Sequence, residues 1–267
     1  MHTRKHFIRR TGAGLLGALG LCLGATSTCV VAAPDAQAIL AASDAVRNPT
    51  QPFKVTVTLT EFEKGVQTDT STLLSYSRVL EGGQYASLIR FMQPARDVGK
   101  LMLKHGNDLW FFDPGTKASV RLSPQQRLMG QASNGDVVTV NFAKDYQATL
   151  AAEESIQDGE RRMRKAYKLA LVATGTEATY ATIDLWVNVE NSWPLKAQFH
   201  SESGRLLKTA FFRKFQNQLG TERPTETVII DGLNPQSVTL LKFSDFAARN
   251  IPATWFQRDF LPRFQPE

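Results

Sequence analysis

The feature that most constrains this chain is strict two-residue alternation. From Phe53 through Leu59 every odd residue is apolar (Phe53, Val55, Val57, Leu59), and Lys54, Thr56 and Thr58 stand between them. Successive side chains of a strand point to opposite faces, so such a run buries one face and wets the other. Glu63-Lys64-Gly65 is a turn, and residues 66–80 return as a long Thr/Ser-rich strand. Residues 84–92, 99–104 and 108–113 follow, separated by Pro94, His105-Gly106-Asn107 and Pro114-Gly115, residues of turn chemistry. After a break the pattern resumes at 165–172, 180–189, 195–200, 205–215, 226–233 and 236–246. This spacing predicts about eleven strands in an antiparallel meander. Residues 35–47 instead predict a short amphipathic helix, with Ile39, Leu40 and Val46 near one face and Asn48-Pro49 as its stop. Ser123-Pro124 is an N-cap and first-turn pair and predicts a short helix through 125–129. Residues 130–136 read as loop, 137–150 fit either strand or helix, and 255–264 read as a helix or an extended tail. No repeat or linker interrupts the pattern, which predicts one β-rich domain over residues 33–267.

Residues 1–32 have the three parts of a secretory signal peptide. Arg4, Lys5, Arg9 and Arg10 form a basic start, residues 12–25 are rich in Gly, Leu and Ala, and Val30-Val31-Ala32 gives the small residues of a cleavage site. Ala36-Gln37-Ala38 is a second cleavage candidate, although it would cut into the first helix. Arg9-Arg10 raises the twin-arginine route, but Thr11-Gly12-Ala13 lacks the apolar residue expected after the pair, which favours the general secretory route. Neither Cys22 nor Cys29 follows a small residue in a lipidation pattern. The chain is therefore expected to be exported from the cytoplasm.

Export changes the meaning of the composition. The chain has 31 Lys+Arg against 25 Asp+Glu, a net charge of +6, and cleavage after Ala32 discards four of those bases and leaves +2. Both cysteines go with the leader, so disulfides and Cys-ligated metal are excluded from the remainder. Only His105 and His200 remain, over ninety residues apart, one in a turn and one at a strand end; no metal or base–nucleophile site is expected from them. No G-x-S-x-G, Walker loop or G-x-G-x-x-G occurs. Glu153-Glu154 reads as solvated surface, and the basic run at 160–165 as a solvated loop, with an anionic-headgroup or docking patch as its alternative. Without an aromatic ladder beside that run, nucleic acid is not an expected partner. No cofactor, metal or enzymatic activity is expected.

The stretch His105-Gly106-Asn107-Asp108-Leu109-Trp110-Phe111-Phe112-Asp113-Pro114 resembles the LolA-like outer-membrane lipoprotein-sorting proteins. In the same order, so do Ser43–Pro49, Arg90–Pro94, Gly99–Leu103, Asp145-Tyr146, Tyr180–Val187 and Ser203–Lys208. The resemblance implies a mainly β fold with an α lid: an incomplete, strongly curved antiparallel β-barrel covered by short helices. It further implies a monomeric periplasmic carrier or chaperone. Such a carrier takes the acyl chains of a lipid or lipoprotein into an apolar barrel cavity and shuttles them from an inner-membrane exporter to an outer-membrane acceptor. An envelope sensor or regulatory module on the same fold is the alternative. The chain is longer than the lipoprotein carrier proper, residues 130–136 fill its middle, and no arginine clearly matches that carrier's lid latch, which favours a lipid-like cargo. Tyr85, Ile89 and Phe91 share a strand face, as do Leu101 with Leu103 and Leu185 with Val187. The adjacent aromatics Trp110, Phe111 and Phe112 must point to both faces, so one of those faces needs a lid or partner. The cavity candidates are thus Tyr85, Ile89, Phe91, Leu101, Leu103, Trp110, Phe112, Leu185 and Val187. Arg78 and Arg90 are the candidate latches onto helix-end carbonyls.

Overall fold

Alternation becomes one curved sheet in the computed structural model, which describes residues 34–265 except Glu177. The leader assigned to residues 1–32 lies outside the described residues. Helix α1 (Ala36–Arg47) comes first; the Asp35 carboxylate accepts its first free amides, from Gln37 and Ala38, and Asn48 ends it. Six strands follow in a meander: β1 (Phe53–Glu63), β2 (Val66–Val79), β3 (Tyr85–Gln93), β4 (Leu101–His105), β5 (Asp108–Asp113) and β6 (Ala118–Arg121). A crossing segment carries the small hairpin β7 (Arg127–Met129) and β8 (Ala132–Ser133), then α2 (Asn134–Val137) and α3 (Phe142–Asp145). The second meander is β9 (Tyr146–Gln157), β10 (Met163–Ala173), β11 (Thr182–Asn188), β12 (Pro194–His200), β13 (Leu206–Gln218), β14 (Thr221–Asp231) and β15 (Ser237–Ala248). Two 3-10 turns, Ala253–Phe256 and Arg258–Arg263, end the described chain.

The thirteen-stranded sheet runs β6-β5-β4-β3-β2-β1-β15-β14-β13-β12-β11-β10-β9. β1 pairs antiparallel with β15 near its middle, which leaves the mid-chain strands β6 and β9 as free edges. The sheet does not close. Residues 122–145 must therefore cross from one edge to the other, and they do so over the inner face. One apolar cluster gathers Val57 and Leu59 from β1, Leu73 from β2, Ile89 from β3, Leu169 and Leu171 from β10, Leu185 from β11 and Leu241 from β15. Leu40 of α1 and Val137, Val138 and Phe142 of the crossing segment join it. Strands so far apart in the sheet reach one cluster only because the sheet curls. Two left-handed residues change the phase of their strands, and the one in β15 lies at a bulge against β1. Lys214 (φ 56) lets Phe212 and Phe215 both face inward despite their odd spacing, and Asp245 (φ 56) does the same for Phe243 and Phe246.

The opposite face of β2–β5 is also apolar. Tyr76, Leu88, Leu101, Leu103 and Phe112 are buried there under Ile251, Trp255, Phe256 and Leu261, and the Trp255 and Tyr76 rings meet edge to face at 5.2 Å. This is the cover that the aromatic run of β5 requires: Phe111 faces the inner cluster while Trp110 and Phe112 face the C-terminal segment.

Two expectations change. The sheet has thirteen strands rather than about eleven, because β6 and the whole of β9 also pair. Residues 125–129 form a turn and then β7, not a helix. The carbonyls that a helix would use internally accept from the crossing segment instead: Ser123 from the Asn134 side chain (3.1 Å), Pro124 from the Gly135 amide and Gln126 from the Asn134 amide (both 2.9 Å).

Candidate functional site

Between the inner face and the crossing segment lies an apolar cavity of about 140 Å³. Val55 and Val57 of β1, Ala210 and Phe212 of β13, Ile229 of β14 and Leu241 of β15 form its floor; Val137, Val138 and Phe142 form its roof. The Ser75 hydroxyl, also on the wall, is buried without a hydrogen-bond partner among the described residues.

Besides its apolar side chains, the roof is fastened by polar contacts. The Thr139 hydroxyl bonds Ser77 (2.8 Å), and the Thr139 amide donates to Ser87 (3.2 Å). The Asn141 amide donates to Gln84 (2.8 Å), whose own amide group donates to the Asp145 carboxylate (2.9 Å). Helix α1 is pinned to the same segment and to the start of β9 by Gln37, which donates to the carbonyls of Ala143 (3.0 Å) and Tyr146 (3.2 Å) and accepts the Ala148 amide (2.9 Å). The buried Asp44 carboxylate accepts the Ala143 amide at 2.7 Å and pairs with Arg47. Burial pushes that carboxyl above the usual range, and Arg47 opposes the shift. From the sheet side, Arg223 of β14 donates to the Val46 carbonyl in the last turn of α1 (3.0 Å) and to the Gln218 carbonyl (2.9 Å).

At one end of the cavity stands a nearly dry ion pair. Lys208 of β13, 3% exposed, contacts Asp136 of α2 and donates to the Gln131 carbonyl (3.1 Å). Asp136 also accepts the Tyr180 hydroxyl (2.7 Å) and the Ser133 amide (2.7 Å). Burial, then the Asp136 charge, push the Tyr180 phenol well above its ordinary value. The Lys208 ammonium lies 4.9 Å from the Tyr180 ring centre and 5.7 Å from that of Phe199. Gly135 lets α2 approach: a Cβ there would stand 2.1 Å from the Thr179 hydroxyl oxygen. Beyond the pair opens a polar groove of about 780 Å³, lined among others by Arg127, His200, Arg205 and Lys208. Tyr180 and Thr179 line both spaces.

The sequence candidates divide between the two faces of the sheet. Tyr85, Ile89, Phe91, Leu185 and Val187 lie in the inner cluster. Tyr85 donates its hydroxyl to the Pro49 carbonyl (2.9 Å) just past α1. Leu101, Leu103, Trp110 and Phe112 face the other way, against the C-terminal turns, and none of the nine lines the 140 Å³ cavity. β3 and β4 are apolar on both faces, so their alternation carries no phase. Arg78 and Arg90 share the parity of Tyr76 and Leu88 and so also lie on the side away from α1; Arg223 occupies the position proposed for them. The basic run at 160–165 is a turn and the start of β10, where Arg162 and Arg164 pair with Asp158. Lys208 carried a readable signal: it is a lysine in phase with Ala210 and Phe212, on the buried face of its strand.

A family model described as "Uncharacterized protein" matches residues 83–263. No curated protein matches the chain. Among solved structures, a LolA superfamily protein from Nitrosomonas europaea is 37% identical, with a TM-score of 0.76, over 85% of this chain and 100% of that one. A DUF1329 family protein from Desulfovibrio piger is 22% identical, with a TM-score of 0.71, over 84% and 97% of the two chains. An outer membrane lipoprotein-sorting protein domain from Vibrio parahaemolyticus is 20% identical, with a TM-score of 0.71, over 85% and 98%. The last two likenesses concern the fold.

Proposed function

The chain belongs to the LolA superfamily, and on that premise we propose that it is a periplasmic carrier that binds acyl chains between its curved sheet and the crossing segment. Residues 1–32 are its export signal, and residues 33–267 its single carrier domain. It takes a lipid or lipoprotein from an inner-membrane complex and delivers it toward the outer membrane, by binding rather than by catalysis. The observation that carries this reading is an apolar cavity roofed by a segment held in place by exchangeable polar contacts. Burying one methylene is worth about 0.8 kcal/mol, so ten would contribute about 8 kcal/mol before ordering costs. The cavity of about 140 Å³ is below the roughly 300–1,000 Å³ of ordinary small-molecule sites. Loading a full chain therefore requires the roof to move. Each roof hydrogen bond contributes only about 1 kcal/mol net, because water replaces it. Such bonds lower the cost of moving the roof, because each one broken is remade to water.

The test is native mass spectrometry and lipid extraction of protein purified from its own envelope, with uptake of a fluorescent fatty acid alongside. The expected result is a co-purifying amphiphile and saturable uptake. Repeated absence of both would remove the carrier reading.

A further inference from the structure

A carrier for amphiphiles must place a headgroup as well as a chain, and the cavity's polar end is built for a charged one. Lys208 keeps an ammonium at 3% exposure on the inner face of β13. A buried cation of this kind needs a counter-charge, and Asp136 supplies it. Asp136 is also part of the roof: it lies in α2, next to Val137, which covers the acyl cavity. Raising the roof at this end therefore separates the pair and strands the ammonium unless another anion takes the place of Asp136. The Phe199 ring of β12 flanks the ammonium from the sheet side, and the Tyr180 ring, whose hydroxyl donates to Asp136, flanks it as well. On its open side the polar groove leaves room for a headgroup, with His200, Arg127 and Arg205 on its walls. Neither arginine makes an ion pair among the described residues. Of the groove's acids, Asp231 already accepts the Leu233 and Asn234 amides, and Glu202 is solvent-exposed.

Resting on the carrier reading above, we propose that the cargo is an amphiphile with an anionic headgroup, which replaces Asp136 as the counter-ion of Lys208 while its chain enters the apolar cavity. Exchange of one anion for another couples headgroup recognition to roof opening. A neutral amphiphile of the same chain length leaves the lysine unpaired and is discriminated against by tenfold or more.

The experiment follows transfer of radiolabelled dioleoylphosphatidic acid or dioleoylglycerol from phosphatidylcholine vesicles to the purified protein. The protein should take up phosphatidic acid at least about tenfold more tightly than diacylglycerol. Lys208→Met should erase that preference, bringing phosphatidic acid uptake down to or below that of diacylglycerol, whereas Asp136→Asn, which removes the competing anion, should strengthen phosphatidic acid uptake. Equal uptake of the two lipids, or a preference that survives Lys208→Met, overturns the headgroup assignment and leaves the carrier reading standing. Uptake of neither lipid overturns both. Inorganic phosphate that blocks transfer at the lipid's own concentration assigns the site to a free anion and also overturns the proposal. If circular dichroism finds Lys208→Met unfolded, Asp136→Asn decides: unchanged or weaker phosphatidic acid uptake overturns it.

Discussion

Arg223 joins the sheet to the helix that borders the site. At 3% exposure it cannot exchange its protein partners for water, and its guanidinium spans the Gln218 carbonyl of its own hairpin and the Val46 carbonyl of α1. The last carbonyls of a helix lack internal partners and carry the negative end of its dipole, so a cation there is favoured twice. Arg223→Met keeps most of the stem and removes both donors. It should lower stability by about 1–3 kcal/mol in urea unfolding and speed hydrogen exchange of the α1 amides beyond the global effect. Arg78→Met is the matched control. Arg78 lies on the other face of the sheet, and its Nε is buried without a partner among the described residues; its loss should leave α1 exchange tracking global stability. If the two variants affect α1 alike, Arg223 is not the latch.

Among the elements, α1 and the crossing segment behave as one roof: Gln37 bonds Ala143 of that segment and Tyr146 and Ala148 at the start of β9, and Asp44 and Asn48 bond Ala143 and Val140. Gln37→Ala leaves two part-buried carbonyls and one amide to find water, and should cost about 1–3 kcal/mol. The same change should accelerate lipid exchange between protein and vesicles while leaving the bound amount at saturation unchanged. Exchange that is no faster would place the opening motion elsewhere. The elements also show what can be read from sequence. Helix α1 was legible from its apolar face and its Asn-Pro stop, and β1 from its clean alternation. β9 was not. It is an edge strand with few inward contacts, and its Tyr-Gln-Ala-Thr-Leu-Ala-Ala-Glu-Glu composition lacks the β-branched bias of the interior strands. The β7 hairpin replaced a predicted helix because bonds from Asn134 and Gly135, beyond the reach of a helical turn, claimed the carbonyls of Ser123, Pro124 and Gln126. The cavity candidates on β4 and β5 were misplaced for a third reason. A strand buried on both faces reveals its two faces but not which is inside, and here Ile251–Leu261 decide it from more than 130 residues away.

At the scale of the whole molecule, the strand order accounts for the site. Pairing β1 with β15 sends the two meanders outward in opposite directions, so the sheet's free edges belong to neighbours in mid-chain. The segment between them must bridge the concave side, and a curved sheet thirteen strands wide cannot fill its concavity from one face alone. The bridge supplies both apolar and polar side chains, and the space they leave is the cavity. On this view the cavity follows from topology, and filling it should abolish binding without harming the fold. Ala210, 2% exposed, is the smallest side chain on its floor. In a fully packed core, Ala210→Phe would cost about 1–3 kcal/mol through overpacking. With the cavity to receive the ring, the change should cost less than about 1 kcal/mol and reduce fluorescent fatty-acid uptake at least about tenfold. Uptake that survives the substitution would move acyl binding away from this cavity. A large loss of stability would mean that the concavity was already full.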